Sequence, residues 1–98
     1  MSILHVVNKS PYECNGLDIC AGYFKDGDAV ILIEDGVYGA IKGGKAAEKL
    51  AGLDVSILGG DLAARGISEA KLVDGVKIVD YAGFVDLTVA KDKVQSWL

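Results

Sequence analysis

Short apolar runs alternate along this chain with segments whose apolar residues recur at helical spacing. Residues 3–7, 29–33 and 55–58 are apolar runs too short for helices and bounded by turn residues. That is the pattern of strands buried on both faces of a sheet. Residues 76–79 form a fourth run of the same type, and residues 94–97 a candidate fifth.

Between the first two runs, Leu17, Cys20, Ala21 and Phe24 recur at i, i+3, i+4 and i+7, one stripe of an amphipathic helix. Pro11 is placed to start that helix, and Lys25-Asp26-Gly27-Asp28 to end it. Residues 45–51 read as a second helix closed by Gly52. Asp61 is a candidate N-cap for a short helical turn over residues 62–65, which Gly66 stops. Residues 81–89 fit either a helix (Tyr81, Phe84, Val85, Thr88) or, over 85–89, a strand. Asp80 as an N-cap decides for the helix. Strands alternating with helices predict an α/β fold with a parallel sheet covered on both faces. No repeat, linker or low-complexity stretch interrupts the 98 residues, so residues 1–98 are read as one domain.

Composition adds exclusions. The formal charge is −4, and no run of Lys or Arg exceeds one residue. The basic patch needed to grip nucleic acid is missing, as is a polybasic membrane anchor. The N-terminus lacks a positive region before its short apolar stretch, and no segment approaches 18 continuous apolar residues. Two cysteines without a secretion signal point to a reduced, cytoplasmic protein. On one helix, Cys14 and Cys20 would lie about 9 Å apart along the axis. That is too far for a disulfide, and both are expected to be free thiols. The apolar fraction of 51% hints that some apolar surface serves a subunit interface.

The usual catalytic vocabulary is sparse. The single histidine, His5, falls inside the first strand and reads as a satisfied core residue. No His/Cys/Asp/Glu cluster has metal-ligand spacing, and no cofactor or metal is expected. Gly39-x-x-x-x-Gly44-Lys45 imitates a phosphate-binding loop, but Ala46 stands where that motif needs Ser or Thr. Glu34-Asp35-Gly36 and Gly59-Gly60-Asp61 follow the second and third strands, where α/β sheets place ligands, yet each also reads as a turn with a helix cap. Covalent chemistry would fall to a thiol. Cys20 is the candidate, set against a buried thiol packing as a small hydrophobe. Its place late in its helix disfavours a thiolate.

Several stretches resemble the DsrH/TusB family of sulfur-relay proteins. They are Ile3-Leu4-His5-Val6-Val7-Asn8-Lys9-Ser10-Pro11, Glu34-Asp35-Gly36-Val37-Tyr38-Gly39-Ala40, Asp61-Leu62-Ala63-Ala64-Arg65-Gly66, Asp80-Tyr81-Ala82-Gly83-Phe84-Val85-Asp86-Leu87-Thr88 and the ending Val94-Gln95-Ser96-Trp97-Leu98. The resemblance implies a three-layer α/β/α sandwich on a five-stranded parallel sheet of order 4-3-2-1-5. It implies a heterohexamer with DsrE/TusD-like and DsrF/TusC-like subunits that exchanges persulfide sulfur with a DsrC/TusE-like carrier. The main acceptor cysteine would lie on the E/D-type subunit. Cys20 matches a helix cysteine of sulfur-oxidiser members, which implies an auxiliary persulfide site and a role in dissimilatory sulfur oxidation. The alternatives are a subunit of the relay for tRNA 2-thiouridine synthesis, or a structural subunit with an inert Cys20.

Overall fold

Five parallel strands form one sheet in the order β4-β3-β2-β1-β5. They are β1 (Ile3–Val7), β2 (Ala29–Leu32), β3 (Val55–Leu58), β4 (Lys77–Val79) and β5 (Lys93–Trp97). This is a computed structural model, describing residues 2–10, 12, 16–50 and 52–97. The helices are α1 (Gly16–Tyr23), α2 (Lys45–Lys49), α3 (Gly59–Ala64) and α4 (Tyr81–Ala90), with 3₁₀ turns at Glu34–Ala40 and Glu69–Lys71.

The sheet sorts its side chains by alternation. Val7, Val30, Leu32, Val55 and Ile57 face a core shared with Leu17 and Cys20 of α1, Ala46 of α2 and Leu62 of α3. Leu4, Val6, Ala29 and Ile31 face the other way, onto Phe84 and Leu87 of α4. Three helices therefore cover one face and one covers the other, giving the expected three-layer α/β/α sandwich.

The central strands carry the predicted burial, with all four residues of β2 and of β3 buried. β4 does not. Its Lys77 and Ile78 are exposed, because it is three residues long and pairs with β3 alone. Residues 76–79 are thus a short edge strand rather than a fully buried one. β5 closes the other edge, pairing in register from Ile3 with Lys93 to Val7 with Trp97.

Asp80 caps α4 as expected, its carboxylate accepting from the Gly83 amide at 2.8 Å. The cap assigned to Asp61 is corrected. α3 already begins at Gly59, and the Asp61 carboxylate reaches the Glu34 amide instead. Gly66 does end this segment, in the left-handed conformation (φ +66°) that glycine adopts without a Cβ penalty. The end of α1 comes at Tyr23, one residue before Phe24, which still packs on the core. Pro11, the expected start of that helix, lies outside the described residues.

Candidate functional site

The sequence singles out Cys20, and α1 places it deep in the larger core. Leu17, one turn earlier on the same face, and Cys20 are both fully buried in the cluster against which partly buried Phe24 and Trp97 pack. Burial pushes the Cys20 thiol up to about 12, and the negative charge of Asp28 adds to the effect. A thiol shifted that way stays protonated at neutral pH. The apolar stripe that forms the helix is therefore the same feature that quiets its sulfur. Cys14 lies outside the described residues.

His5 is a satisfied core histidine, as its place in β1 predicts, and its partners explain why it is tolerated. Its Nε2 lies 2.9 Å from Asp28 Oδ2, with both side chains buried. On the other side of the ring, the Trp97 indole Nε1–H donates to Nδ1 at 3.0 Å. An indole nitrogen can only donate, so Nδ1 must accept, and the ring carries its single proton on Nε2. The result is a neutral imidazole donating to a buried carboxylate.

Asp28 is the hub of this arrangement. Burial alone would raise its carboxyl, but hydrogen bonds from His5 and from the Ile3 and Lys25 amides outweigh it. Together they hold Asp28 below the usual carboxylate range. The carboxylate thereby ties the start of β1 to the loop that leaves α1. An open cavity of about 340 Å³ lies beside it, lined by Ile3, His5, Tyr23, Lys25, Asp28, Gln95 and Trp97. Sequence reasoning missed the Trp97–His5–Asp28 chain. The signal was the implied strand order: with β5 beside β1, His5 and Trp97 fall two positions apart on one face of paired strands, while Asp28 directly precedes β2.

A second cluster occupies the carboxyl edge of the sheet, where the two acidic turns meet. Glu34 has a left-handed backbone (φ +49°), costly for a residue with a Cβ. It is held there by its amide's bond to Asp61 Oδ2 at 2.6 Å and by the 3₁₀ turn, in which Gly36 N donates to Ile33 O at 2.9 Å. Gly36 is required, since a Cβ would run into the Val7 carbonyl. Arg65 joins the two turns, pairing with Asp35 at 2.9 Å and reaching the Asp61 carbonyl with Nη1. The sequence reading of turn plus cap is right about the turn at residues 34–36, but no side chain there caps a helix, and it misses the link to residues 59–61. Asn8 Oδ1, a buried atom just after β1, has no hydrogen-bond partner among the described residues. Gly44 serves as the N-cap of α2 in a loop that departs from phosphate-binding geometry, since a 3₁₀ turn, not a strand, precedes it. Among the described residues, no group of three or more His, Cys, Asp or Glu could hold a metal ion. No helix of the described residues is long and apolar enough to cross a membrane.

Among the described residues, neither cluster presents a poised nucleophile. Comparison with known proteins agrees with the fold. The chain is similar to the ychN protein from E. coli, whose crystal structure superposes with a TM-score of 0.81 at 24% identity over 98% of both chains. Tm0979 from Thermotoga maritima, solved by solution NMR, gives 0.68 at 25% identity, covering 91% of this chain and 92% of that one. By sequence, the chain is 34% identical to Protein TusB of Pectobacterium parmentieri, across 97% of this chain and all of that protein. It is 38% identical to Protein TusB of Salmonella paratyphi B, across 89% of this chain and 95% of the relative. Residues 9–94 match the family model described as "DsrH like protein". With the family model and whole-length relatives agreeing, the chain belongs to the DsrH/TusB family of sulfur-relay proteins.

Proposed function

We propose that this chain is a TusB-like subunit of the sulfur relay that supplies tRNA 2-thiouridine synthesis. The observation that carries the reading is the end-to-end similarity to proteins named TusB, at 32–38% identity. The reading from sequence put dissimilatory sulfur oxidation first, because Cys20 matched a cysteine of that branch. Burial weakens the argument: a fully buried thiol pushed up to about 12 can be kept for packing alone, so its presence does not select the branch. The relay reading therefore rests on the relatives, and they favour tRNA thiolation.

In this reading the chain acts in the cytoplasm with TusD/DsrE-like and TusC/DsrF-like subunits, and the assembly passes persulfide sulfur to a TusE/DsrC-like carrier. The heterohexamer and the placement of the acceptor thiol on the D/E-type subunit belong to the same proposal. The contribution of this chain is structural, a reading favoured by the burial of Cys20. An auxiliary persulfide on Cys20 would first require the thiol to leave the core. The function is tested in a bacterium deleted for its own TusB subunit. Expression of this chain should restore 2-thiouridine in tRNA, and the three paralogues should copurify in equal amounts. Failure to restore the modification despite copurification would refute the tRNA-thiolation reading.

A further inference from the structure

We infer that His5 is a proton-operated latch on β5: adding a second proton to its ring expels the Trp97 indole and frees the carboxyl end of that strand. The reason lies in the donor and acceptor pattern. In the neutral ring, Nδ1 accepts from Trp97 and Nε2 donates to Asp28. A proton taken from solvent onto Nδ1 turns that acceptor into a donor, aimed at an indole N–H only 3.0 Å away. The ring cannot turn away without breaking its bond to Asp28, and it is packed between Phe24 and Trp97, with centroid separations of 5.9 and 6.0 Å.

The core tolerates the new charge better than the indole bond does. Asp28 is a buried carboxylate at 2.9 Å and would become the counter-ion of the imidazolium. The other groups around the ring decide little against this. Tyr23 and Lys25 line the same cavity from α1 and the loop after it, and Lys25 is an exposed cation that opposes a second positive charge. Cys20 on α1 is a neutral thiol. On β5 the cavity is lined by uncharged Gln95 and Trp97, while Lys93, paired with Ile3, sits further back and exposed. The strain of protonation therefore falls on Trp97.

Trp97 is also the group that can move. It ends the described part of β5, an edge strand paired with β1, and its partly buried ring rests on the rim of the core and stacks on exposed Tyr23 at 5.6 Å. Its release would widen the 340 Å³ cavity and uncover part of the core that holds Cys20, against which Trp97 packs.

Trp97 is the only tryptophan in the chain, so its signals report on this contact alone. Indole emission and the indole N–H resonance should be followed in the folded chain from about pH 8 down to about pH 5, alongside the His5 ring protons. The latch predicts a one-proton change in both indole signals, coincident with the His5 titration and reversed on return to pH 8. In His5→Gln the step should vanish. In Trp97→Phe, the His5 ring protons should respond at higher pH than in wild type, because linkage is reciprocal. A step that persists in His5→Gln would overturn the proposal. So would a His5 titration that Trp97→Phe leaves in place, and this second arm remains decisive should His5→Gln fail to fold.

Discussion

The two faces of the sheet are covered very differently. On one face, α1, α2 and α3 meet the sheet in a core that takes in Leu17, Cys20, Ala46, Leu50, Leu62 and the inward side chains of β1, β2 and β3. On the other, α4 alone lies across Leu4, Val6, Ala29 and Ile31. Its own apolar residues are only partly used. Phe84 and Leu87 turn inward, while Tyr81, Val85 and Val89 remain 71%, 48% and 80% exposed, one stripe at i, i+4 and i+8. Val94 of β5 is also about half exposed. Neither face is covered completely, since Ile19 and Tyr23 of α1 are also exposed, but α4 carries the longer uncovered stripe. Among the described residues, α4 and β5 carry part of the apolar excess noted from composition, the most exposed being Val89 and Tyr81.

The contrast is broken most severely by removing β5. Deleting residues 94–98 should abolish cooperative folding, because β1 then loses a whole parallel neighbour and His5 loses its indole donor. A truncated chain melting within a few degrees of the intact one would show that β5 contributes little to the fold.

Asp28 gives the next largest effect. Asp28→Asn turns one of the two buried oxygens that accept three N–H groups into a donor and should cost about 1–3 kcal/mol near pH 7. The folded carboxyl lies below its ordinary value, so its stabilisation is fully present above the unfolded value, about pH 4. That stabilisation is lost as the pH falls through the lower folded value. Urea unfolding of wild type and Asp28→Asn should therefore differ most at neutral pH and converge in acid. A constant difference across that range would contradict the role given to the carboxylate.

The smallest effect is expected on the uncovered face. Substituting Tyr81, Val85 and Val89 together by Gln should change the stability of the isolated chain by no more than roughly 0.5 kcal/mol per site. Ile31→Ala, on the face that α4 does cover, should cost about 2–5 kcal/mol. Equal losses at the two sets of positions would mean that the stripe is already covered in solution.

The division between faces also marks what could be read from the sequence. The central strands announced themselves as unbroken apolar runs, since a parallel strand buried on both sides needs no polar alternation. The edge strands were harder. β4 and β5 have exposed positions, and the place of β5 beside β1 came from the family resemblance rather than from its own pattern. Asp80 was legible because its cap is local, three residues from the amide it accepts. Asp61 was not, because its partner is 27 residues away and the two glycines before it joined the helix. The same holds for Trp97 and His5, 92 residues apart. Cys20 was singled out from the sequence as the candidate thiol, and it lies in the core. Its burial in a core that Phe24 and Trp97 help to close depends on how α1, the loop after it and β5 pack, which no spacing reveals.

The central claim is that this chain serves a TusB-type relay as a scaffold, with Cys20 as a packing thiol. It is tested most directly by measuring 2-thiouridine in tRNA from a strain lacking its own TusB subunit and expressing the Cys20→Ser variant. The serine is close in size and can bond back along α1, so the fold should survive. The account predicts that the variant restores the modification to the level reached by the unsubstituted chain. Restoration by the unsubstituted chain and none by Cys20→Ser, with the variant assembled equally well, would contradict it and place sulfur transfer on Cys20.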